Sequence, residues 1–135
     1  MDQLDKIRRK VEEYERCYQT ATIEALLAYA DWFAIYGFYI AEQLSSHKSK
    51  YNTYYFIRKS TISLKKQALV NEMSAAKAEA IADAEGLMAL RNEIDAQSEA
   101  YSFELIWKQI QVMVGTIQQR ISHLKKEKGY HQNIT

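Results

Sequence analysis

The sequence contains no proline and only four glycines in 135 residues, so it has few of the turn formers that a β-sandwich or an alternating α/β fold requires. A single cysteine, Cys17, excludes an intramolecular disulfide framework and fits a reducing compartment. No apolar run lasts for the roughly 18 residues of a membrane span. The chain does not open with a short basic stretch, an apolar core and a small-residue cleavage site. A soluble, cytoplasmic chain is expected, with no membrane partner. There is no glycine-rich phosphate loop of either common type. None of His47, His123 and His131 follows an acidic residue by three positions, which removes the Glu-x-x-His pattern of carboxylate-bridged metals in bundles. No catalytic residue, metal or cofactor is therefore expected, and no enzymatic activity. A formal net charge of +1 is silent about polyanionic partners.

What is present is helical periodicity. Ala, Glu, Lys, Gln, Leu and Ile dominate, all compatible with helix. From Leu4 the apolar positions step by three and four through Ile7, Val11, Tyr14, Tyr18, Ala21, Ala25, Ala28, Trp32 and Ile35 to Tyr39, a heptad seam. Asp2 can cap its start, and Asp5 suits the first turn. The polar run Ser45 to Ser49, followed by Tyr51, Asn52 and Thr53, predicts a turn near 45–53. A second helix follows, with an alanine-lined seam at Ala68, Ala75, Ala78 and Ala82, and Gly86 either ends or kinks it. The third pattern culminates in Phe103, Trp107, Ile110, Val114, Ile117, Ile121 and Leu124, and is read as ending at Gly129 with a flexible tail over 129–135. The expected fold is all-α: one helical domain over 1–128, a long antiparallel hairpin or bundle. Its two apolar seams exceed what one short hairpin can cover, so completion by homo-oligomerisation is expected.

Charge is sorted along the chain. Residues 1–44 carry five basic and eight acidic side chains, 45–76 six and one, 77–104 two and seven, and 105–135 five and one. From Gln43 to Asn71 there is no acidic residue at all, whereas solvated helix faces ordinarily mix signs. Within that stretch Lys48, Lys50, Tyr54, Tyr55, Arg58, Lys59, Lys65 and Lys66 interleave cations and aromatic rings at helical spacing. Proteins that hold single-stranded nucleic acid without reading its sequence combine these elements, rings that stack bases and cations that track phosphates. The competing reading packs the tyrosines onto Trp32 and Phe33 across the hairpin and leaves the lysines as a solvated face.

The order of features resembles the UvsY-type recombination mediators of tailed phages. The likeness lies in Leu27, Tyr29 and Trp32 of the first long helix, then the aromatic and basic run ending in Arg58 and Lys59. A C-terminal amphipathic helix from Tyr101 to Lys126 follows, with Gln119, Arg120, Ile121, Leu124 and Lys125 near its end. The run Tyr51 to Phe56 is richer in aromatics than that family's. The resemblance implies a non-enzymatic, phage-encoded homo-oligomer that binds single-stranded DNA in the host cell. It would help load a recombinase against the single-strand binding protein, with Arg58 and Lys59 as DNA contacts and the last helix as the oligomerisation element. The alternative is a helical scaffold or adaptor whose aromatic run meets another protein.

Overall fold

The computed structural model describes residues 2–134, and side chains as far as Gly129. Among the described residues it contains four α-helices and no strand: α1 (Gln3–Cys17), α2 (Ile23–Leu69), α3 (Ala75–Glu85) and α4 (Leu87–Ile134). The all-α expectation holds, and the principal packing is of α2 on α4, a helical hairpin or bundle. The residues group into two compact units, one formed by residues 1–41 and 106–135, the other by 42–105. The long helices α2 and α4 contribute to both.

Three helical segments build the first unit. The Asp2 carboxylate accepts the Leu4 N–H at 2.7 Å, capping α1, and Ile7, Val11 and Tyr14 bury its apolar face. The heptad seam runs on past Tyr18 without a helix beneath it, because Tyr18–Thr22 forms a turn in which Thr22 Oγ1 accepts the Ala25 N–H at 3.1 Å and opens α2. The rest of the core is Leu26, Tyr29, Phe33 and Ile40 from α2 and Ile110, Ile117 and Ile121 from α4. Helices α1 and α2 meet through an edge-on Tyr14–Tyr29 ring pair with centroids 5.4 Å apart. The Tyr29 hydroxyl donates to Glu13 Oε1 at 2.8 Å and lies 3.2 Å from Cys17 Sγ. Burial, then those two partners, raise the phenol pKa well above its ordinary value. Arg120 reaches from α4 to donate to the Gln19 carbonyl, securing the α1–α2 turn.

The second unit is a hairpin of the last part of α2 against α3 and the first part of α4. Here the predicted turn near 45–53 is corrected: α2 runs through it unbroken to Leu69. The polar run is tolerated because none of these residues is proline or glycine, the serines are exposed to solvent, and Thr53 Oγ1 donates back to the Ser49 carbonyl at 3.0 Å. The reversal falls instead at Val70–Ser74, where Ser74 Oγ accepts the Lys77 N–H and caps α3. The core of this unit is lined by small residues, Ala78 and Ala82 of α3 and Ala96 and Ala100 of α4, which permit close helix approach.

Gly86 ends α3 rather than kinking it, in ordinary right-handed backbone with φ −75°. Its requirement is spatial, since a Cβ at this position would meet Ile62 Cγ1 at 2.8 Å and Cδ1 at 2.9 Å. Gly86→Ala is therefore expected to lower stability by about 1–3 kcal/mol through overpacking. Because Ile62→Ala removes both obstructing atoms, the double variant should lose less than the sum of the single losses in chemical denaturation. Additive losses would show that the contact is not what excludes the side chain. At the other end of α4 a second correction applies. Gly129 does not stop the helix, whose backbone continues to Ile134, so the tail expected over 129–135 is helical that far, and Thr135 lies outside the described residues.

One 18-residue window of α2 reaches a mean hydropathy of 1.2, the length and composition of a membrane span, with 22% of it buried inside the protein. An interrupted apolar stretch thus attains the average that an unbroken run was expected to require.

Candidate nucleic-acid interface

The aromatic and basic residues singled out in the sequence all lie on α2 within the second unit. The helix continuity through 45–53 places them on one uninterrupted rod. Tyr55 is 43% exposed, with the Arg58 guanidinium carbon 5.5 Å and Lys59 Nζ 5.7 Å from its ring centroid. Lys50 Nζ lies 5.9 Å from the half-buried Tyr54 ring, and Phe56 beside them is 70% exposed. Cations at this range are attracted to the ring face. Trp32, an alternative partner of these tyrosines, instead meets Phe33 edge-on and stacks on Tyr36 in the first unit.

The cations divide into two groups. Lys48, Lys50 and Lys59 are exposed and have no acidic partner among the described residues. The other three face acidic residues of α3 and α4. Lys65 Nζ is 3.1 Å from Glu85 Oε1, and Lys66 Nζ is 3.4 Å from Glu79 Oε1. Arg58 donates through Nε to Glu93 Oε2 and through Nη2 to Oε1 at 3.4 Å. Glu93 is only 6% exposed. Its hydrogen bond outweighs desolvation and raises the Arg58 pKa further, so the guanidinium stays charged. Arg58 is thereby drawn inward, where the resemblance implied a DNA contact. His47 adds a fourth cross-hairpin approach, Nδ1 lying 3.0 Å from Glu99 Oε2 while its ring stacks on Phe103 at 4.7 Å.

These carboxylates escaped the sequence reading although their signal was present. The basic block 45–76 and the acidic block 77–104 are consecutive, and a reversal at 70–74 folds one against the other. With the turn placed at 45–53, that pairing is hidden.

The residues assigned to oligomerisation are largely consumed inside the chain. Ile110, Ile117 and Ile121 are buried in the first unit, Trp107 and Ile110 line the close approach to Gly37, and Phe103 covers His47 in the second. Val114 and Leu124 are half-buried. The buried part of the seam is covered within the chain, as where Ile110 and Trp107 face Gly37 of α2. Exposed apolar side chains remain in each unit, Phe38 at 77% with Ile35 in the first, and Met88, Ile94 and Tyr101 in the second.

No known family model, curated protein or solved structure matches this chain.

Proposed function

We propose that this protein is a non-enzymatic single-stranded-DNA-binding recombination mediator that acts in the cytoplasm and helps load a recombinase. The observation that carries the DNA part is the exposed Tyr55 ring flanked by Arg58 and Lys59, next to Tyr54 with Lys50, on a helix free of acidic residues from Gln43 to its end at Leu69. Bases stack on the rings, and Lys48, Lys50 and Lys59 track the phosphates. The link to a recombinase and to the single-strand binding protein rests on the family resemblance. Repetition of the site in a homo-oligomer would multiply a weak single contact along a long strand.

Fluorescence anisotropy with a labelled oligonucleotide tests the reading. Replacing Lys48, Lys50 and Lys59 with alanine should flatten the dependence of log affinity on log salt by roughly 0.7 per lysine. Tyr55→Ala should weaken binding by about 1–3 kcal/mol with the salt slope nearly unchanged. Absence of wild-type binding at low salt overturns the proposal. In that event the adaptor reading leads, favoured by the outward apolar side chains of the second unit such as Phe56 and Met88, which suit protein contacts.

A further inference from the structure

The second unit carries more cations in its basic segment than it offers to solvent. Lys65 and Lys66 each have a carboxylate within 3.1 and 3.4 Å, from Glu85 and Glu79 respectively. A phosphate oxygen arriving at either ammonium would stand about 5 Å from that carboxylate, two anions sharing one cation. Either the ion pair opens or the phosphate binds against a neighbouring negative charge. The four acids Glu79, Glu85, Glu93 and Glu99 all come from the block 77–104, and all face the basic limb of α2. Their arrangement imitates the nucleic acid the limb would bind, a spaced row of anions along a row of cations.

We propose that this acidic limb is a built-in competitor: Glu79 and Glu85 occupy Lys65 and Lys66, so the basic segment engages single-stranded nucleic acid with fewer cations than it contains. The inference rests on the single-stranded-DNA reading. It adds that affinity is held down from within and rises whenever the outer carboxylates are neutralised. Glu93 is the inner, structural member of the row. Glu79 and Glu85 are exposed, and exposed pairs of this kind contribute little to stability, so they can be changed without unfolding the unit.

The test is Glu79→Gln with Glu85→Gln in the full chain, titrated with a labelled thymidine oligonucleotide over a range of salt. Affinity at low salt should rise about tenfold, and the salt slope should steepen by roughly 0.7 for each lysine released. Adding Lys65→Gln and Lys66→Gln should abolish the gain. Glu15→Gln with Asp31→Asn is the charge-matched control, since both are exposed acids outside the basic limb's reach of ion pairs. A gain in the control equal to that of the test variant overturns the inference, as net charge alone would then account for it. If the wild type binds and the test variant shows the same affinity and slope, the competitor is overturned while the DNA reading stands. If neither protein binds, both fall together.

Discussion

Replacing Ile117 with aspartate should unfold the first unit, whereas the same change at Val112, five residues away on the same helix, should leave it intact. Ile117 is 0% exposed, in the unit whose core also holds the fully buried Leu26, Phe33 and Ile40. A carboxylate there is taken out of water or must be protonated, at a cost of several kcal/mol. A domain of this size has only about 5–15 kcal/mol in total, so the loss is of the order of the whole stability. Val112 is 67% exposed, and an aspartate at such a site changes stability by about 0.5 kcal/mol or less. Thermal unfolding followed by circular dichroism separates the two. Equal melting temperatures would mean that the inward face of α4 has been misidentified.

Arg58→Ala should lower the melting temperature of the second unit by more than Lys48→Ala does, although both remove one positive charge from the same helix. Lys48 has no acidic partner among the described residues, while removal of Arg58 strands the buried Glu93 carboxylate. A lone buried charge costs more than the ion pair was worth, so combining Arg58→Ala with Glu93→Leu should recover much of the loss. Like effects of the two single variants, or no recovery in the double, would show that the pair is not what holds Arg58 inward.

The same pair shows how far the residues alone could be read. Helical class, the Asp2 cap, the break at Gly86 and the alanine-lined approach at Ala78 and Ala82 are local properties, written in propensity and spacing. The position of the long reversal is not local. Ser45–Ser49 has turn-like composition but continues as helix because tertiary packing on α4, including the His47–Phe103 stack, outweighs weak intrinsic preference. Val70–Ser74 holds none of the glycines and no proline, and its only strong mark is the capping serine. The aromatic and basic run was legible as a candidate interface, and its exposed members Lys48, Lys50, Tyr55 and Lys59 remain together on α2. Which of its cations turn inward depends on the register of the opposing limb, and that register follows from the reversal.

The first unit is discontinuous in sequence, with residues 1–41 and 106–135 on either side of the other unit. On the ribosome this imposes an order. The second unit is contiguous, so all of it is synthesised before residues 106–135. Leu26, Phe33 and Ile40 must wait longer, because Ile110, Ile117 and Ile121 follow the whole second unit in the chain. At about 5–20 residues per second, Ile40 waits roughly 4–14 s for Ile110 to be made. A chain released between residues 105 and 110 would thus carry a completed hairpin and an exposed, adhesive segment over residues 1–41, the kind of surface that chaperones hold.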